Sequence, residues 1–249
     1  MARGASRTEQ AMKMKHAIAG IGLSLLVACS PQDLQTILGS TGNPALTNDE
    51  VVAGLKEALR LGTERTVSNV GAAEGFWSNT LIRIPFPPEA IKVKNTLTDL
   101  GMNQPVLDFE RTLNTAAERA SKEAVPVFVD AITGMSIADG FTILRGGERA
   151  ATDFLREKTS AALRARFTPV VERATQEVAL MSYWQPLATT YNTATLLTGG
   201  KAVNPDLNAY VTDKALDGLF TVLAQEEKRI RVDPLARATQ LLQKVFAAQ

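Results

Sequence analysis

The chain has 249 residues, 45% hydrophobic and 21% charged, which suits one large domain or two small ones with a real core. Its net charge is +1, but Arg3, Arg7, Lys13 and Lys15 oppose only Glu9 in the first 28 residues, and the remainder holds 23 basic and 25 acidic residues, which argues against nucleic acid as a partner. The single histidine, His16, and the single cysteine, Cys29, both lie near the N-terminus; once that segment is removed, imidazole-based nucleophile systems, zinc sites of the His and Cys kind and intrachain disulfides are excluded.

Lys13 and Lys15 precede a run without charge, residues 17–28, which ends at Cys29. Twelve helical residues rise roughly 18 Å against a hydrocarbon core of about 30 Å, so the run has the size of a signal-peptide core and falls short of a comfortable span. Met12 or Met14 gives a more compact signal peptide than Met1, and one of them is the expected start. The sequence Leu26-Val27-Ala28-Cys29 resembles the lipobox of bacterial lipoprotein precursors. That resemblance implies cleavage before Cys29, a diacylglyceryl group on its sulfur, acylation of the new amine, and hence palmitate labelling. A plain signal peptide or a cysteine buried on a core helix are the alternatives. Ser30 follows where some sorted lipoproteins of Gram-negative bacteria carry Asp, which implies the periplasmic face of the outer membrane. Residues 30–48 are rich in Gly, Pro, Ser, Thr and Asn and read as a tether reaching roughly 24 Å root-mean-square. The expected organisation is a signal peptide over 1–28, a lipidated tether over 29–48 and a helical domain over 49–249.

The domain reads as helical by period. Thr47-Asn48-Asp49-Glu50 has the capping-box form, with Val51, Leu55, Ala58 and Leu59 on one face. Pro88 suits the first turn of a helix bearing Ile91 and Leu97 and ending near Gly101. Pro105 opens another, with Val106, Phe109, Leu113, Ala116, Ala117 and Ala120 inward and Pro126 expected to end or kink it. Ser136 starts a short helix closed by Gly146-Gly147, and further helices are predicted over 148–166, 169–181, 182–197, 206–229 and 234–247. Only "LIRIPF" alternates like a strand, near residues 81–86, and its prolines cut it short. The expected fold is all-α, one domain of about ten helices.

The stretches "GFWSNTLIRIPFPP", "MSIADGFTILRGGERAAT", "YVTDKALDGLF" and "EEKRIRVDPLARATQLL" resemble the bacterial family catalogued as domain of unknown function 4197, over roughly residues 49–247. Many members look like lipoproteins. The resemblance implies an architecture and an envelope address, with no cofactor, catalytic residue or mechanism to carry over.

Four features invite a functional reading. Arg83 stands between Ile82 and Ile84, and a period of two turns it away from both. It serves either a structural ion pair or an anionic ligand. Tyr183, Trp184 and Tyr191 group at helical spacing, either as core or as the lining of an apolar pocket. Asp213 and Asp217 lie one turn apart, and paired carboxylates can hold an oxygen-ligand metal, act as acid and base, or serve structural ion pairs, the favoured use. Glu227 and Arg231 stand at i, i+4 in the favourable order for a structural pair. Gly146-Gly147 reads as a turn, since the phosphate-loop pattern is missing. No cofactor and no metal are expected. The lipobox resemblance, the helical content and the missing histidines favour a non-catalytic envelope lipoprotein that binds a protein partner or an amphiphile near the membrane. The rival is an envelope enzyme using carboxylate, Lys or Tyr chemistry.

Overall fold

The computed structural model describes residues 47–88, 91–176 and 206–233, with Trp184, Thr189, Tyr191, Asn192, Thr193, Leu196, Ala202, Ala236, Arg237 and Gln243. Among them are seven α-helices and no strand, so the fold is all-α, although the helices are fewer than the ten expected. The helices predicted over 182–197 and 234–247 lie largely outside the described residues.

Local chemistry starts the first helix, α1 (Asn48–Val70). The Thr47 hydroxyl accepts from the Glu50 N–H at 3.2 Å, while the Glu50 carboxylate accepts from the Thr47 N–H at 2.8 Å. This reciprocal cap satisfies donors that the first helical turn leaves free. The same device starts α5 (Ile137–Arg145), where Ser136 and Asp139 cap each other and Gly146 ends the helix. Hydrogen bonds from the Ser136 side chain and backbone hold the Asp139 carboxyl below the usual carboxylate range.

Between these lie α2 (Ile91–Asp99), α3 (Asn103–Ser121) and α4 (Ala124–Thr133). All six apolar residues predicted to face inward on α3 are buried. Pro126 does not kink α3, which ends at Ser121; Lys122 and Glu123 separate it from α4, and Pro126 sits in the first turn of α4, where its missing N–H has no partner to lose.

The break predicted between 166 and 169 is also absent. α6 runs unbroken over Ala150–Gln176 through Pro169. Pro169 is exposed, as is Ala165, so the carbonyl that proline leaves unpaired faces water. Phe167 and Val171 stay buried on the opposite side and hold the helix against the core. The last element, α7 (Leu207–Val232), begins as predicted and extends past residue 229.

The longest helices, α6 and α7, pack against each other; α3 lies on both, and α1 packs on α7 and α4. Phe109, Leu113, Phe128, Leu155, Phe167 and Phe220 fill the centre with almost no exposure. Glu227 of α7, itself buried, joins these helices by accepting from the N–H groups of Ala151 and Thr152 at 3.0 and 2.8 Å and from the Thr152 hydroxyl at 2.7 Å. It thereby caps the start of α6 from another helix. Arg231 donates to Glu227 at 2.9 Å and to the Ile143 carbonyl at the end of α5, so the predicted i, i+4 pair is a buried three-helix junction. No single described helix is long and apolar enough to cross a membrane.

Candidate functional site

The segment between α1 and α2 has no sheet to join, yet its backbone is firmly held. α3 presents Glu110, Asn114 and Glu118 at successive four-residue steps, one above another on a single face. Glu118, buried, accepts from the N–H groups of Phe76 and Trp77 at 3.1 and 3.4 Å. Asn114, fully buried, accepts from the Ile84 N–H and donates to its carbonyl, both at 2.8 Å. Glu110 accepts from the Phe86 N–H at 3.2 Å and pairs with Lys94 of α2 at 2.6 Å. These side chains satisfy backbone groups that a neighbouring strand would otherwise serve. Tyr210 of α7 adds a hydrogen bond from its hydroxyl to the Pro85 carbonyl at 3.2 Å.

So fixed, the segment alternates as predicted: Ile82, Ile84 and Phe86 are buried, while Leu81, Arg83 and Pro85 are exposed. The inward residues seat on the core, and Phe76 lies against Gly218 of α7, where a Cβ would stand 2.5 Å from its ring. The outward face carries the polar chemistry. The Arg83 guanidinium carbon stands 3.4 Å from the centre of the half-buried Trp77 ring. Arg111, one residue beyond Glu110 on α3, brings its guanidinium carbon to 4.9 Å from the same ring. Glu74 holds Arg111 at 3.1 Å and accepts from the Ser78 hydroxyl. Its φ of +63° is a left-handed conformation that costs a non-glycine residue about 1–2 kcal/mol.

Arg83 therefore rests on an aromatic ring, and no carboxylate pairs with it among the described residues. A guanidinium stacked on an indole keeps its N–H edge available for a planar or tetrahedral anion. Asp213 and Asp217 each face an arginine of α6: Asp213 pairs with Arg164, and Asp217 with Arg156 at 3.3 Å. They fasten α7 to α6. Among the described residues no three or more His, Cys, Asp or Glu side chains converge as a metal site.

Trp184 is buried against Phe86 and Phe109, with ring centres 5.9 and 6.0 Å away, and Tyr191 packs at the edge of the core. Trp184 thus backs the segment whose outer side bears Arg83. Tyr183 and Cys29 lie outside the described residues. A narrow apolar crevice between α1, α6 and α7 encloses about 30 Å³, room for water only. A wider groove of about 400 Å³ between α4, α5 and α6 is lined by Asp130, Asp139, Lys158 and Arg166, whose charges balance.

Trp77, Arg111 and Glu74 belong to this face although sequence reasoning did not select them. A signal was present: Glu110, Asn114 and Glu118 recur every four residues on a helix whose adjoining stripe is apolar, which marks a polar line facing a partner inside the fold.

Residues 45–247 match the family model described as Protein of unknown function (DUF4197). No curated protein and no solved structure matches the chain.

Proposed function

Because the chain belongs to the DUF4197 family, whose description names no activity, its role rests on its own residues, and we propose that it is a non-catalytic cell-envelope lipoprotein. In this reading Cys29 carries the lipid anchor at the periplasmic face of the outer membrane. The helical domain then binds a protein partner or an amphiphile close to the bilayer. The observation that carries the reading is the exposed Arg83 guanidinium, stacked 3.4 Å above Trp77 on a backbone that α3 immobilises. Holding a cation in one place at the surface costs little further entropy on binding, which is what a recognition site needs.

Support also comes from the use of the other charges. The carboxylates singled out in the sequence, Asp213 and Asp217, are engaged by arginines, and buried Glu227 caps a helix. These are structural uses. The test is native mass spectrometry of the protein extracted from its own envelope. The wild type should retain a bound partner or amphiphile that Arg83→Ala releases. An unliganded wild type, or a variant that keeps the same companion, would count against the reading.

A further inference from the structure

We infer that the Trp77 face takes the phosphate group of an anionic phospholipid at a bilayer surface. This inference rests on the binding reading above and names its ligand.

Four observations converge. Two guanidinium groups share one indole, at 3.4 and 4.9 Å from its centre, which gathers positive charge around a single aromatic side chain. Arginine's planar fork matches phosphate oxygens in pairs, and stacking leaves that fork pointing outward. Among the described residues the only carboxylate paired within the cluster is Glu74, so these three groups together carry one net positive charge.

Apolar side chains flank the cations on the same side. Leu81 precedes Arg83 by two residues in the alternating segment and is 68% exposed. Leu107 precedes Arg111 by one helical turn and is 37% exposed. A surface that interleaves leucine, tryptophan and arginine has the chemistry of the boundary between headgroups and acyl chains, where indoles and guanidinium groups concentrate.

The backbone beneath is already ordered. Asn114 and Glu110 hold Ile84 and Phe86 on either side of Pro85, so the lipid need not order the segment that bears Arg83. Glu74, 3.1 Å from Arg111, keeps that guanidinium beside the ring in the free protein and competes with an arriving phosphate. Removing its charge should strengthen binding.

The chain contains two tryptophans, so Trp184→Phe leaves Trp77 as the sole indole. The full chain with this change is reconstituted in phosphatidylcholine vesicles, with or without phosphatidylglycerol, and Trp77 is quenched with neutral acrylamide. Phosphatidylglycerol should shield Trp77 and shift its emission to the blue, and added salt should reverse both. Arg83→Ala and Arg111→Ala should each raise the phosphatidylglycerol content needed for half-shielding about tenfold or more, while Glu74→Gln lowers it. Circular dichroism melts check that each variant is folded, and Arg83→Lys, which keeps the charge and loses the fork, should fall between wild type and alanine. Equal quenching in both vesicle types, or a wild-type response from both alanine variants, would overturn the assignment. Inorganic phosphate added to phosphatidylcholine vesicles should shield Trp77 little; shielding by phosphate alone, with none from phosphatidylglycerol, would overturn the lipid source. The intact mass of the same chain reports whether Cys29 is acylated, so failure of the anchor and failure of the phosphate site are read separately.

Discussion

Asn114 grips both backbone polar atoms of Ile84, its carboxamide oxygen accepting from the N–H and its nitrogen donating to the carbonyl, each at 2.8 Å. A helix side chain thus does for one residue what a neighbouring strand does in a sheet. Ile84 is 1% exposed, so water cannot take over either bond.

Asn114→Ala should therefore destabilise the fold by about 2–4 kcal/mol, since it strands two buried backbone groups. Asn114→Asp should be no milder. It retains an acceptor for the N–H but sets a carboxylate against the Ile84 carbonyl. Urea unfolding of the three proteins measures this. A loss below about 0.5 kcal/mol for the alanine variant would show that the segment does not depend on α3.

Features written in neighbouring residues were legible in advance. Thr47 with Glu50 and Ser136 with Asp139 close their caps across three positions. The alternation about Arg83 placed it outward, and the apolar stripe of α3 placed six core residues. What depended on distant partners was not legible. Glu118 reaches back 42 residues to Phe76, and Glu227 reaches back 75 to Thr152. Their sequence neighbourhoods look like ordinary helix surface. The break expected between 166 and 169 is absent for a related reason: proline at 169 disfavours a helix interior locally, but burial of Phe167 and Val171 outweighs that when the freed carbonyl is solvated. The alternating pattern points Arg83 toward an anion or a carboxylate, while its indole partner lies six residues upstream around a turn that the pattern does not encode.

Two helical glycines should respond oppositely to alanine. At Gly218 a Cβ would lie 2.5 Å from Phe76 Cε1 and 3.2 Å from Ile82 Cβ, both on buried side chains. At Gly62 the nearest atom is Ile230 Cδ1 at 3.5 Å, an ordinary contact. Alanine improves helix propensity by about 1 kcal/mol at either site, but overpacking costs about 1–3 kcal/mol at Gly218 alone. Gly62→Ala should raise the melting temperature and Gly218→Ala should lower it. Because Phe76 adjoins Trp77, Gly218→Ala should also alter the Trp77 emission. Two variants that melt alike would contradict this packing.

Lipidation of Cys29 is tested by Cys29→Ser. The variant should remain unprocessed at the signal peptide and take up no labelled palmitate, because the sulfur that receives the first lipid group is gone. Its domain should keep the wild-type melting temperature, since every residue of the described core follows residue 51. Equal palmitate uptake by both proteins would remove the anchor from the functional reading.

The acid limb of stability should report on Glu226. Burial raises its pKa, but hydrogen bonds from Arg229 at 2.6 and 2.8 Å, and from Arg65 at 3.2 Å, outweigh that and hold the carboxyl below the usual glutamate range. A group whose pKa is depressed by folding contributes stability in full above its unfolded value and loses it as pH falls through the folded value. Glu226→Gln keeps the shape and removes the charge, leaving Arg65 of α1 without its anion on α7. The variant should be less stable at neutral pH by about 1.5–3 kcal/mol, the scale of hydrogen bonds to a charged group. That difference should shrink as the solution is acidified through the carboxylate range and close below the depressed pKa, where wild type is protonated too. Thermal melts of both proteins over that range give the comparison. A gap that stays constant down to the lowest pH would show that the arginines hold Glu226 by geometry alone, with no electrostatic part.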